Sequence, residues 1–455
     1  MEIITQNHSN EIERNEKIQN FSKKFHLSSI LKACGAYRHK GNSTLSLFIY
    51  MVGLIFNNRS MYMDMQINQN KAFSKDTIYR FLNDARINWS KLVALLASNV
   101  IGFLKPLTDE NRRNVLIIDD STYARPKSKK TELLANVYDH ADHKYVKGFR
   151  LLTMLWSDGA TSVPLLYRLM STENKKNRIC EASKCDKRST AYKIRQEAQM
   201  KSTDLVIDML KTAKKYSHSA HYVLFDTWFC FPDSLIKIKK LGYDVISMAK
   251  KTPKQLYCYD QQMLSLKDIY KKCKKRPGKS KYMLSVLVQV TKGTEHTMAK
   301  VVYIRNRNNR KDYLCLISTD INLTEEEIIQ TYAKRWNIEV FFKMCKSYLK
   351  LTGECKSVSY DAMTAHVAVV FTRYILLAYE QRCQTDQRTM GELLFYMCQE
   401  ITDISLTQAL ELLLSCLKDF LLSENIISET EIQKLLDKYI DTLPAEFSSG
   451  LKKCA

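Results

Sequence analysis

The sequence predicts a multidomain α/β protein, with a mixed-sheet core interrupted by a β-rich insertion and helical domains at both ends. Three observations predict it. Apolar runs of strand length fill the middle of the chain, and two of them end on a carboxylate. Between about residues 250 and 311, strand-like runs alternate with basic loops. Before about residue 110 and beyond Ser357, apolar residues recur at the spacing of helices.

The length of 455 residues and 45% apolar content allow two to four domains with substantial cores. A formal charge of +22 points to a polyanionic partner, nucleic acid before membrane. No run of about 18 apolar residues is read, and the stretch MEIITQNHSNEIERNEK is polar, so neither a membrane span nor a signal peptide is expected. Thirteen cysteines without a CxxC pair are read as reduced thiols, so a cytoplasmic location is expected, at the nucleoid if the polyanionic partner is DNA. His140 and His143, with Asp139 or Asp142, read as a polar turn before a metal site, since no second ligand cluster follows.

Residues 1–110 form the expected helical N-terminal DNA-binding domain. ILKACGAY and LSLFIYMVGLIF carry helical spacing, and Ser74 is placed as the N-cap of KDTIYRFLNDARINW, which would expose Lys75, Tyr79 and Arg80. The core then runs from 111 to 252. NVLIIDD is a short apolar strand ending in two carboxylates. GFRLLTMLWSDG and TSVPLLYRLMS are strands flanking the Asp158-Gly159 turn. A basic loop with Lys175, Lys176, Arg178, Lys187 and Arg188 leads into a helical stretch. HYVLFD is a second strand stopping on a carboxylate, Asp226, and a short helix and the strand YDVISMA follow. Three strands, a helix, a strand, a helix and a strand make the order of a ribonuclease H-like sheet.

Residues 253–320 form the β-rich basic insertion, with strands YMLSVLVQV, TMAKVVYIR and DYLCLIS. Counting residues 250–311 gives 17 cations against 3 acids. These alternate with Tyr257, Tyr259, Tyr270, Tyr282 and Tyr303, a pattern that suits a nucleic-acid track. Residues 321–356 complete the core, and 357–455 form a helical C-terminal domain whose stretch 396–446 holds ten acids against three lysines.

Within TYAKRWNIEVFFKMCKSYLK, Tyr332, Arg335, Glu339 and Lys346 stand three, four and seven residues apart. On one continuous helix they fall inside an arc of about 60°, with Ile338, Phe341, Met344 and Tyr348 on the far side. Taken alone, the stripe also reads as a helix laced by i,i+4 ion pairs. In a ribonuclease H-like sheet the first and fourth strands are neighbours, so Asp120 and Asp226 meet at one edge and Glu339 from a packed helix can join them. Three hard oxygen donors with open positions suit Mg²⁺, and two such ions suit in-line phosphoryl displacement.

IDDST at 118–122, LFDTWF at 224–229 and the Y-x2-R-x3-E-x6-K pattern at 332–346 resemble the DDE transposases of bacterial insertion sequences that carry the YREK signature. The resemblance covers residues from roughly 110 to 370. It implies that Asp120, Asp226 and Glu339 are catalytic and hold two ions, Mg²⁺ or Mn²⁺; Asp120, followed by Ser121 and Thr122, is the better match and Asp119 the alternative. It implies that Tyr332, Arg335 and Lys346 bind DNA phosphates, so that Glu339 faces the metals and is not spent on Arg335 or Lys346. The implied reaction is hydrolysis at terminal inverted repeats of double-stranded DNA, followed by attack of the 3′-hydroxyl on target DNA, within a homodimeric paired-end complex. Hairpin-forming relatives stack a flipped base on a tryptophan of the insertion. Here the tryptophans are Trp89, Trp156, Trp228 and Trp336, none of them in the insertion. Tyr257 or Tyr303 is the available substitute, and Trp228 and Trp336 are expected to pack beneath the site.

Overall fold

The computed structural model describes residues 16–383 apart from 58–59, 68–72, 108–111, 140–142, 217–218, 278–279, 307–308 and 310–311, together with residues 431, 434, 435 and 438. His140, Asp142 and most of the acidic C-terminal stretch lie outside the described residues. Six strands build the first part of the sheet: β1 (Val115–Ala124), β2 (Ala135–Asp139), β3 (Lys144–Ser157), β4 (Ser162–Met170), β5 (Tyr222–Phe225) and β6 (Asp244–Met248). β1 lies between β3, which is antiparallel to it, and β5, which is parallel; β4 pairs antiparallel with β3 and β6 parallel with β5. The order β4-β3-β1-β5-β6 is that of a ribonuclease H-like sheet. Val115 to Ile118 are fully buried, as a strand covered on both faces requires. The β3–β4 turn forms where expected: Gly159 takes φ +99°, and Asp158 Oδ1 accepts from the Ala160 and Thr161 amides at 2.8 and 2.6 Å.

Strands β7 (Leu256–Tyr259), β8 (Gln262–Ser265), β9 (Leu284–Lys292), β10 (Glu295–Arg305) and β11 (Tyr313–Ser318) extend the same sheet, because β11 pairs antiparallel with β6. The inserted strands therefore share the core's hydrogen-bond ladder. This continuity overturns the reading of the insertion's tyrosines as an open aromatic track. Tyr257 and Tyr303 are fully buried, Tyr282 nearly so, and Tyr270 stacks on Tyr313 at 4.1 Å between ring centres. Neither Tyr257 nor Tyr303 can offer a face to a base. The cations stay outside: Lys274, Lys275 and Arg276 are exposed, with Lys275 over Tyr270 and Arg276 over Tyr282.

Residues 16–24 are helical, and the helices named from there on are α1 (Leu27–Ala33), α2 (Thr44–Gly53), α3 (Met61–Ile67), α4 (Lys75–Leu82), α5 (Trp89–Leu104), α6 (Thr190–Glu197), α7 (Ser202–Ala213), α8 (Pro232–Lys240), α9 (Leu266–Lys272), α10 (Glu325–Ala333), α11 (Trp336–Ser347) and α12 (Tyr360–Cys383). Ser74 precedes α4, and Lys75, Tyr79 and Arg80 are exposed as expected. The helix read through Trp89 instead breaks after Leu82, and Asn88 caps α5 through the Lys91 amide at 2.9 Å. α12 packs on α5 and β4 and is buried on nearly every face. Two helices, Trp89–Leu107 and Tyr360–Arg382, are long and apolar enough to cross a membrane, contrary to the reading of the sequence. The second is 94% buried and holds Arg373 and His366 inside the protein, which makes it a core helix.

Buried ion pairs tie α12 to the rest. Arg195 bridges Glu132 and Asp361, and Arg373 pairs with Glu354 at 2.6 Å while donating to the carbonyls of Met51 and Val52. Both guanidinium groups are almost wholly out of water, so their partners compensate charges that would otherwise be costly to bury.

Candidate active site

Parallel pairing of β1 and β5 sets Ile117 opposite Leu224, which carries Asp119 alongside Asp226 two residues further on. Side chains alternate along a strand, so these two carboxylates share one face and Asp120 takes the other. Asp120 pairs across the sheet with Leu152, and its carboxylate meets Arg150 two residues along β3. Here the expectation fails: strand phase places Asp119, and not Asp120, beside Asp226.

Burial pushes the Asp119 carboxyl up to about 7, the charges of Asp226 and Asp120 push the same way, and Arg335 opposes them. Like charges crowded at a half-dry site are what a bound cation relieves. Asp226 is held by the Trp228 amide, which donates to its Oδ1 at 2.8 Å, and its carbonyl accepts from Ser247 Oγ at 3.2 Å.

The third element departs from one continuous helix. α10 begins in a capping box between Thr324 and Glu327 and ends at Ala333, and α11 starts at Trp336. The junction is tightened by i→i−3 hydrogen bonds from the amides of Lys334, Arg335, Asn337 and Ile338. It is tethered to the sheet through Lys334 Nζ on the Arg113 carbonyl at 2.6 Å and Asn337 Nδ2 on Ser157 Oγ at 3.0 Å. Ile338, Phe341 and Met344 form the buried back as expected, and Tyr348 is half-buried.

From this junction Arg335 reaches Asp119 at 3.1 Å and Glu339 at 2.8 Å. Glu339 is thus spent on Arg335, contrary to expectation. Burial works against the Arg335 charge, but Tyr332, Glu339 and Asp119 outweigh it and hold the guanidinium above its ordinary value. Tyr332 is half-buried beside Arg335 and Asp226, its hydroxyl without a well-aligned hydrogen bond, and burial pushes its pKa up to about 12. Lys346 does not join the group. It is half-buried further along α11, where burial lowers its pKa and Asp139 opposes the shift.

Asp119, Asp226 and Glu339 supply the hard oxygen donors a divalent cation takes, and the orphaned Tyr332 hydroxyl marks a polar position beside them. Among the described residues, however, no three His, Cys, Asp or Glu side chains stand close enough to hold one ion. Arg335 stands between Asp119 and Glu339, at 3.1 and 2.8 Å. By donor chemistry alone, the carboxylates fit a hard divalent cation.

Two features escaped the sequence. Trp228 and Trp336 do not pack beneath the site; they are 40% and 62% exposed. Strand β2 was also missed, and with it the wall that Tyr138 contributes near Arg150.

No curated protein matches the sequence. One solved structure with some similarity is the Drosophila P element transposase strand transfer complex, at 10% identity and a TM-score of 0.23, covering 53% of this chain and 51% of that one. The match thus spans about half the length of that transposase. A family profile described as DDE superfamily endonuclease matches residues 42–303, more than half of the chain and a span that includes Asp119, Asp120 and Asp226. The chain belongs to the DDE superfamily of endonucleases.

Proposed function

We propose that the chain is a DNA transposase of the YREK type, from a bacterial insertion sequence, with Asp119, Asp226 and Glu339 as its catalytic carboxylates. The observation that carries the reading is the convergence of β1, β5 and the α10–α11 junction on one cluster, in which Asp119 is electrostatically coupled to Asp226 and joined to Glu339 through Arg335. Two Mg²⁺ or Mn²⁺ ions held by these carboxylates would supply the charge that activates water and stabilises the oxygens of an in-line displacement.

The chain's own residues do the rest. Arg335 has the planar fork that grips a phosphate. When it turns from Asp119 and Glu339 to DNA, it frees both carboxylates and fixes the scissile phosphate above them. The Tyr332 hydroxyl, beside Arg335, donates to the same phosphate. Lys346, further along α11, contributes a point charge to the flanking backbone. The Asp226 carboxylate is held in one orientation by the Trp228 amide, so little reorganisation is needed on loading. The freed 3′-hydroxyl, kept in the site, then attacks target DNA. The excess of cations over acids in residues 250–311 supports a contact with the DNA backbone, and two copies of the chain hold the two ends.

A second reading, a DDE nuclease that cuts without joining, is favoured by the family description alone. The test is incubation with DNA carrying the element's own ends, with Mg²⁺, beside Asp226→Ala. Joined products that vanish in the variant are expected. Cleavage without joining would leave the nuclease reading, and binding without metal-dependent chemistry would refute both.

A further inference from the structure

Beside the carboxylates, on the Asp120 side of β1, a cavity of about 480 Å³ is lined by Arg150, Trp228, Phe231, Tyr138 and Tyr145. A second, of about 820 Å³, is lined by Phe231, Lys250, Lys254 and Lys292. Both include Thr203 and Phe231, so they adjoin and make one groove. Three aromatic side chains are open within it: Tyr145 is 65% exposed, Trp228 40% and Phe231 36%. Arg150 and Lys250 lie 5.5 and 5.1 Å from the Trp228 ring centre, and Lys250 lies as close to Phe231.

The groove's lining is positive on balance. Asp120 is taken by Arg150 and Asp233 by Lys237 at 2.7 Å, which leaves Glu173 and Asp204 against Lys201, Lys250, Lys254 and Lys292. Exposed aromatic side chains among cations in excess over acids match a chain that alternates flat bases with phosphates. Duplex bases are stacked on one another, so only an unpaired base can lay its face on Trp228. The groove also starts at the chemistry, because Trp228 donates its amide to Asp226.

We propose that this groove holds an unpaired DNA strand leaving the cleavage point, with a base on Trp228, the next near Phe231, and phosphates running toward Lys254 and Lys292. The assignment rests on the DNA-cleaving reading above and names the part of the substrate that reading leaves open.

The test uses the full chain, without divalent cations, and fluorescence anisotropy on three labelled DNAs. These are a blunt duplex, the same duplex with an unpaired extension of about ten nucleotides, and the extension alone. The extension is expected to tighten binding about tenfold over the blunt duplex. Trp228→Ala should bring that ratio close to one, and Trp228→Phe should keep most of it. Exposed Lys254→Glu with Lys292→Glu, which does not touch the core, should also abolish the gain. Tryptophan fluorescence of the wild type should be quenched by the extension alone, and less so in Trp228→Phe. An extension that adds nothing, or a gain that survives either Trp228→Ala or the double lysine variant, would overturn the proposal while leaving duplex cleavage intact. Failure to bind any of the three DNAs would instead overturn the DNA-cleaving reading.

Discussion

Arg335 and Glu339, one helical turn apart, form an ion pair at 2.8 Å, and the same guanidinium reaches Asp119 at 3.1 Å. A cation of the protein's own thus occupies the space between two carboxylates proposed to hold a metal. The charge-assisted hydrogen bond to the largely buried Asp119 contributes about 1.5–3 kcal/mol, the one to the more exposed Glu339 about 1 kcal/mol at most, and any ion entering must displace both. Arg335→Ala is therefore expected to bind Mn²⁺ roughly tenfold more tightly than the wild type in the absence of DNA, while holding DNA ends more weakly. Titration calorimetry with Mn²⁺ checks the first and a binding assay the second. Unchanged or weaker Mn²⁺ binding would show that the arginine does not compete.

Adjacent aspartates give a sharp comparison. Asp119→Asn should lower metal-dependent cleavage roughly a thousandfold, the scale of one strong electrostatic or acid–base contribution. Asp120→Asn should cost about tenfold at most, as a neighbour that only orients the site. The reverse ranking in a plasmid-nicking assay would restore Asp120 as the ligand.

Glu339→Gln keeps the shape of the third ligand and removes its charge. It should abolish cleavage while leaving binding to DNA ends within about twofold, because an exposed ion pair contributes little to stability. A lowered melting temperature as its main effect would instead mark the Arg335–Glu339 pair as structural.

Acid stability should depend on Glu354. Burial pushes its pKa up, but Arg373 and the neighbouring His366 and Lys350 outweigh burial and hold it below the ordinary glutamate value. A carboxyl depressed by folding contributes stability above its unfolded pKa of about 4.5 that is lost as pH falls through the folded value. Glu354→Gln should therefore cost about 3 kcal/mol or more at neutral pH, since it strands the buried Arg373 charge, and should flatten the loss of stability below about pH 4.5. Denaturant melts across pH check both.

Binding to duplex DNA should weaken steeply with salt. If about five cations of the exposed β-rich segment meet phosphates, the log–log slope is near −4.5, and Lys274→Glu with Lys275→Glu should reduce its magnitude by about 2. A flat dependence would remove these lysines from the interface.

Much of this was legible in the chain itself. Apolar runs of strand length located β1, β3, β4, β5 and β6 in order, since a strand buried on both faces has little choice of residue. The order of strands and helices then sufficed for the ribonuclease H-like sheet. Acid-ended runs marked Asp226 and the Asp119-Asp120 pair, and the polar face of the later helix marked Tyr332, Arg335 and Glu339. What the sequence left open were questions of phase and contact. Asp119 and Asp120 are chemically alike neighbours, and only the register of β1 against β5 turns one toward Asp226 and the other toward Arg150. The tyrosines of the inserted strands alternate with lysines whether or not they are buried; pairing of β11 with β6 puts several of them inside. Trp228 and Trp336 are open because the chain turns at Asp226 and bends at Arg335, and neither bend leaves a mark in hydrophobic spacing. Residue types and their periodicity thus determined the strands and the chemical inventory, because the run of apolar residues that suits a segment to burial is written in that segment. Which carboxylates meet, which cation separates them and which aromatics stay open were decided by tertiary structure, because these depend on how distant segments pair.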